Sequence, residues 1–277
     1  MSDPIVHSVA QIGFGTGTNE LYDKARPSYQ PFALAHIKSA LPRSSSSNVV
    51  ELGSGTGIFT RALLADPEWQ NSIAELKAFE PSEGMRDVFS KTVQDPRVTV
   101  HDGTFDHFGV EDDWADIIVV AQAFHWCPDY NAAMVEFARA LKPDGIAALI
   151  WNLDDRDGAG WAAKLRATLE ANEKGTPQFR LGLWRQTFDT PAYRKFFEPP
   201  EEKVWSYHLL GSHEIIKNRA LSASYIAILP DDEKAKLAEE ISAIIDEGEG
   251  RVWIDEKEGI FEYPYKTFVE ILKLKQQ

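Results

Sequence analysis

Cysteine is nearly absent from this chain: Cys127 is the only one in 277 residues. That excludes an internal disulfide framework and any cysteine-based metal cluster, and no metal site is expected. Basic residues are also scarce, with 29 Lys and Arg against 43 Asp and Glu, for a formal charge of −14. So acidic a surface suits neither nucleic acid nor an anionic membrane as partner. No apolar run is long enough to span a bilayer, and Met1 to Ala10 has no basic stretch leading into an apolar core. The expectation is a soluble cytoplasmic protein that acts on a small molecule. At this length and 43% hydrophobic content, the chain suits one large α/β domain or a domain with a substantial insertion.

What the chain does have is a glycine turn. Val49-Val50-Glu51-Leu52-Gly53-Ser54-Gly55-Thr56-Gly57 precedes an amphipathic stretch, Ile58 to Ala65. This reads as a buried strand turning sharply into a helix. Glycine permits φ > 0 and lets a ligand lie against the main chain, and the helix start offers unpaired N–H groups to it. The pattern points to a nucleoside cofactor. A dinucleotide turn needs G-x-G-x-x-G, but Ile58 stands where its third glycine belongs. No Gly-Lys-Ser/Thr follows, so a phosphate-cradling loop is excluded too. The spacing resembles the E/D-x-G-x-G-x-G turn of class I S-adenosylmethionine (SAM)-dependent methyltransferases. The resemblance places Glu51 near the cofactor's ammonium, with Gly53, Ser54, Gly55 and Gly57 along the turn. A second cluster, Gly13-Phe14-Gly15-Thr16-Gly17, has no strand before it and no apolar helix after it. It reads as a flexible segment able to fold over a ligand.

Strands and helices alternate from there. Ala74 to Phe79 reads as a second strand ending at Glu80, where a carboxylate can accept two hydrogen bonds from a ribose diol. Pro81 stops this strand, and a helix begins around Ser82 and Met85. Val98 to Val100 is a third strand leading into Gly103-Thr104, whose polar groups can read an adenine edge. Ala115 to Ala121 is a fourth strand, apolar on both faces and so central, ending at Gln122-Ala123-Phe124-His125-Trp126. Asn131 to Leu141 is an amphipathic helix closed by the turn Lys142-Pro143-Asp144-Gly145, and Ile146 to Trp151 is a fifth strand. The alternation predicts a Rossmann-like, doubly wound α/β sheet that gathers these strand ends into one crevice.

Tyr22-Asp23-Lys24-Ala25-Arg26-Pro27-Ser28-Tyr29, the glycine turn, Glu80 to Met85, Gln122 to Trp126 and Leu141 to Gly145 together resemble the type 11 methyltransferases. These are small-molecule class I enzymes related to the trans-aconitate methyltransferases. Ser222 to Pro230 and Tyr263 to Thr267 extend the likeness over nearly the whole chain. It implies a seven-stranded sheet with an antiparallel edge near Lys203 to Leu210 and Gly259 to Leu272. It also implies that Tyr22 and Arg26 close over the methionine part of SAM, and that S-adenosylhomocysteine is the product. One departure is Phe105, which stands where many relatives carry an acid. The single domain then divides into an N-terminal lid segment (1–45), a cofactor-binding core (46–153), a substrate-cap insertion (154–202) and C-terminal edge strands and helices (203–277).

SAM brings its own reactivity, so the protein must align a nucleophile and exclude water. A carboxylate needs no base, whereas a phenol, alcohol or protonated amine does. His125 is the candidate base, with a cofactor-lining or structural role as its alternative. The aromatic-rich insertion can box a substrate or form a helical mini-core. Trp151, Arg156, His208 and Tyr225 are candidate substrate contacts, an arginine suiting a carboxylate. The competing reading keeps the fold but not the transfer: a protein that binds SAM or S-adenosylhomocysteine, or a non-methylating enzyme. An NAD-dependent oxidoreductase is weakened by the missing glycine.

Overall fold

The strand Ala115–Ala121 shows how the sheet is built. Ile117 and Val119 join one apolar cluster, Ile118 and Val120 another, and all four are fully buried. Successive strand side chains point to opposite faces, so this strand needs a covering layer on both. A computed structural model, which describes residues 19–42 and 46–276, provides both layers. The cluster Gly13 to Gly17 lies outside the described residues.

The strands are β1 (Ser47–Leu52), β2 (Ile73–Phe79), β3 (Val98–His101), β4 (Ala115–Ala121), β5 (Leu141–Asp154), β6 (Glu201–Gly211), β7 (Trp253–Asp255) and β8 (Ile260–Lys273). Their order is β3-β2-β1-β4-β5-β8-β6, with the short β7 paired to β8 off this path. The first five are parallel, and β8 runs antiparallel between β5 and β6. The seven-stranded path and its antiparallel edge match the expectation; β7 is an addition that three exposed residues gave no pattern to reveal. Strand order reverses between β1 and β4, and ligands in doubly wound sheets bind at such a point, beyond the carboxyl ends of the strands.

The helices are α1 (Asn19–Ala25), α2 (Pro31–Ala40), α3 (Ile58–Ala65), α4 (Glu83–Thr92), α5 (Tyr130–Ala140), α6 (Gly160–Glu170), α7 (Pro191–Phe196), α8 (His213–Leu221), α9 (Ser224–Ala227) and α10 (Asp231–Glu247). Leu34 and Ile37 of α2, Phe59 and Leu63 of α3 and Phe89 of α4 cover one face. Met134 and Phe137 of α5 cover the other. Side chains cap α4 and α5: Ser82 accepts from the Met85 N–H, and Asp129 from the Ala132 N–H. The expected turn Lys142 to Gly145 is instead a bulge inside β5. Leu141 pairs with Ala115 and Ile146 with Ile117, so four residues loop out between them.

Residues 154–202 divide between two cores. Trp161 and Leu165 of α6 pack with Ile241 and Ile245 of α10 in a third cluster. Trp184, Tyr193 and Phe197 return to the α5 face, where Trp184 lies 4.6 Å from Trp151, centroid to centroid, and donates from its indole to the Phe179 carbonyl. Trp184 is thus the buried link between insertion and sheet. Trp184→Ala is expected to cost about 3–5 kcal/mol, read as a lowered denaturant midpoint.

Candidate active site

The turn after β1 takes its shape from glycine. Gly57, at φ +85°, begins α3 in the left-handed region, and a Cβ there would lie 2.7 Å from Val93. Gly55, at φ +56°, has open space where its Cβ would be, so the main chain itself faces a cavity. That cavity, about 300 Å³ with its mouth, is lined by Tyr22, Glu51, Gly53, Ser54, Gly55 and Gln122, among others. Glu51 is fully buried within it. One of its carboxyl oxygens accepts from the Thr60 hydroxyl, and the other has no partner. Burial pushes its pKa up to about 8. Glu80 sits just outside and braces the turn, accepting from the Gly55 N–H at 3.0 Å and the Ser82 N–H at 2.9 Å. Burial raises its pKa as well. Each of its oxygens keeps a lone pair for a further donor.

A second cavity, about 710 Å³ with its mouth, adjoins the first, and Tyr22 and Gln122 line both. Gln122 holds its place at φ +59°, an uncommon conformation for a residue other than glycine. Its backbone N–H donates to the Ile150 carbonyl and its side-chain amide to the Asn152 carbonyl, at 2.8 and 2.6 Å. The helix carrying Tyr22 is tied down at its C-terminal end: Asp23 pairs with Arg61 at 2.6 Å, and Arg26 donates to the Ser222 carbonyl.

Four arginines line the second cavity: Arg26, Arg166, Arg180 and Arg219. Its described lining residues include no Asp or Glu. Asp154, Glu170 and Glu173 sit behind them, the last two paired with both Arg166 and Arg180. Burial alone would raise Asp154, but Arg219, Arg166 and tyrosine hydroxyls outweigh it and hold it at about 2. Arg26 has no carboxylate partner among the described residues. It rests 4.6 Å from the Tyr22 ring centroid, and its Nε is buried without a partner. Burial and the neighbouring Arg219 lower its pKa. His125 shares this cavity; its Nδ1 accepts from Trp151 Nε1 at 3.2 Å, and burial, then Arg26, push its pKa down to about 3.

Of the sequence candidates, the two cavities gather Tyr22, Arg26, Glu51, Gly53, Ser54, Gly55, Gln122, His125, Trp126 and Tyr225. Gly57 and Glu80 shape the turn from behind. Ala123, Pro81, Met85, Gly103 and Thr104 line neither cavity: Met85 is buried in α4, Gly103 lies against Phe79, and the Thr104 hydroxyl donates to Asp106. Trp151 lies beneath the cavity and reaches it through His125. Arg156 is exposed beside Glu170 and His208 is exposed beside Glu262, both away from the cavities. Sequence reasoning passed over Arg166, Arg180 and Arg219. A charged residue on an amphipathic helix reads as a surface residue until the fold shows what lies over it.

Residues 50–149 match a family model described as a methyltransferase domain. A protein of Schizosaccharomyces pombe described as an uncharacterized methyltransferase-like protein is 30% identical over 223 residues, which is 80% of this chain and 82% of that one. The chain belongs to the class I methyltransferases. A Mycobacterium tuberculosis methyltransferase, also uncharacterized, is 32% identical over 56% of this chain and 57% of its own. Among solved structures, one from Anaeromyxobacter dehalogenans, described as a type II methyltransferase, superposes with a TM-score of 0.62 at 16% identity, covering 89% of this chain and 97% of the other. Phosphoethanolamine N-methyltransferase 2 of Haemonchus contortus, solved with S-adenosyl-L-methionine, gives 0.55 at 14% identity over 94% and 57%. These likenesses concern the fold.

The family's donor, SAM, carries an ammonium, a carboxylate and a ribose diol. The first cavity suits it, because the unpartnered Glu51 oxygen is a buried acceptor for an ammonium and the Gly55 side is open. The pH dependence follows. Unfolded, the Glu51 carboxyl ionises near 4.5; folded, near 8. Its contribution to stability is therefore full below pH 4.5 and is lost as the pH rises toward 8. A bound ammonium favours the ionised form, so binding within that window releases a proton. Calorimetry of SAM binding at pH 7 should give an enthalpy that varies with buffer ionisation enthalpy, by an amount near one proton. Glu51→Gln should abolish that variation, weaken binding at least about tenfold and stabilise the free protein at pH 9. An unchanged buffer dependence in the variant would assign the proton elsewhere.

Proposed function

We propose that this methyltransferase transfers the methyl group of SAM to a small anionic acceptor, with a carboxylate the best chemical match. The observation that carries the reading is the second cavity, with four arginines and no carboxylate among its described lining residues. Arg166 and Arg180 pair with carboxylates behind the cavity, whereas Arg26 and Arg219 make no ion pair among the described residues. A guanidinium held from water without a counter-ion is costly, and a carboxylate ligand offsets that cost through paired, charge-assisted hydrogen bonds. A protonated amine would add like charge. The resemblance to the trans-aconitate methyltransferases agrees with an acid as acceptor, and the formal charge of −14 agrees with a free metabolite rather than nucleic acid or an anionic membrane.

When bound, SAM supplies a methyl group activated by its sulfonium, whose bonding electron pair stays on sulfur. Glu51 would hold the ammonium, the Gly53 to Gly55 main chain would lie against the cofactor, and Glu80 would accept from the ribose hydroxyls. Arg26, resting on the Tyr22 ring that lines both cavities, is placed to serve the methionine carboxylate. Arg166, Arg180 and Arg219 line only the second cavity and would orient the acceptor. Tyr22 and Gln122, at the junction, would limit water around the reacting groups.

A screen of organic acids, amines and phenols with labelled methyl donor tests this reading. The expected product is a base-labile methyl ester. Arg219→Gln should raise KM for the acid about 10- to 100-fold and leave the SAM Kd unchanged. Transfer to amines alone, indifferent to Arg219, would overturn the acid reading.

A further inference from the structure

The contact between Trp151 and His125 has a direction. An indole N–H can only donate, so the His125 Nδ1 that receives it, at 3.2 Å, carries no hydrogen. In a neutral imidazole the single proton then sits on Nε2. The ring is half-buried, and the Arg26 guanidinium opposes any added positive charge. Trp151 cannot easily turn away. It is fully buried in β5, with Trp184 4.6 Å and Phe179 4.8 Å from its ring centroid. His125 lines the arginine cavity, and among the described residues its ring bonds through Nδ1 alone, with no protein acceptor at Nε2.

We infer that Trp151 is a positioning residue that locks His125 in the Nε2–H form, and that His125 presents a permanent hydrogen-bond donor to the methyl acceptor instead of acting as a general base. A histidine base shows the opposite arrangement, with Nδ1–H donating to a carboxylate or carbonyl and Nε2 bare toward the substrate. Here the orienting partner is itself a donor, so the nitrogen left for the cavity already holds its proton. The pair therefore selects for an acceptor that arrives with its own lone pairs. A carboxylate oxygen accepts from Nε2–H and needs no proton removed; a phenol or alcohol would find no base at this position. The inference rests on the methyltransferase reading of the cavity and adds to it a residue that sets specificity.

Two measurements test it. In protein carrying ¹⁵N-labelled histidine, the His125 signals should show a bare Nδ1 and a protonated Nε2 at pH 7, with no titration between pH 5 and 8. The chain has seven histidines, so the His125 signals are assigned by their loss in His125→Gln. Trp151→Phe, which keeps a ring but removes the donor, should release the tautomer so that an Nδ1–H population appears. Should that variant fail to fold, the second measurement decides. His125→Gln keeps an N–H donor near the place of Nε2 and cannot take up a proton, so it should retain more than a tenth of the transfer rate. His125→Ala should lose at least a hundredfold in kcat/KM for the acid, with the SAM Kd unchanged. Equal loss in the Gln and Ala variants, or a wild-type Nδ1–H tautomer, would overturn the inference. The tautomer is read without any turnover, so failure of the acid-acceptor reading would be seen separately, as no transfer to acids by the wild type.

Discussion

The site depends on one constraint: β1 and β4 lie side by side and parallel, yet the chain leaves them toward opposite faces of the sheet. After β1 it enters α3, whose Phe59 and Leu63 pack on one face; after β4 it enters the turn at Phe124 and then α5, whose Phe137 packs on the other. Two backbone paths that diverge from neighbouring strand ends must leave a gap between them. Glu51, one residue before the end of β1, and Gln122, one residue past the end of β4, stand at that gap because the register of the two strands leaves them no other place.

Burial then leaves the two halves of the gap poised for ligand groups of opposite charge. On the β1 side it removes a carboxylate, Glu51, from water with one oxygen unpartnered. On the other side it crowds guanidiniums around a neutral imidazole, with Asp154, Glu170 and Glu173 held behind them. A donor with a cationic end and an acceptor with an anionic one would each find the complementary side. The same low-dielectric setting that makes an unpaired buried group costly makes its pairing with a ligand strong.

The half of the site that is local in sequence was legible, and the half assembled from distant helices was not. Glycine spacing and the acid before it report on one turn, and hydrophobic runs report on single strands, so β1, β2, β4 and the Gln122 to Trp126 segment could be placed from their residues. Arg166 on α6, Arg180 in the insertion and Arg219 on α8 share no local pattern, and only tertiary packing brings them to one wall. Lys142 to Gly145 carries every mark of a helix stop, and α5 does end beside it. Nothing in those residues reveals that Leu141 already pairs with β4 and makes the turn a bulge. His125 is a candidate by sequence and lines the cavity, but the partner of its Nδ1 is Trp151, 26 positions away and in contact only because β4 and β5 are neighbours.

An acidic protein with a basic cavity is not a contradiction, because the two charges act over different distances. At physiological ionic strength exposed charges are screened beyond about 8 Å, so most of the −14 is not felt deep in the crevice. Charges within the cavity are screened far less, and the carboxylates that pair with Arg166 and Arg180 are placed behind them and not in the lining. The acidic exterior would discourage polyanions, whose charges extend over the surface. A small acid fits inside one Debye length and answers chiefly to the wall it touches. Charge distribution thus sorts acceptors by size as well as by sign, which neither the net charge nor the arginine count would do alone.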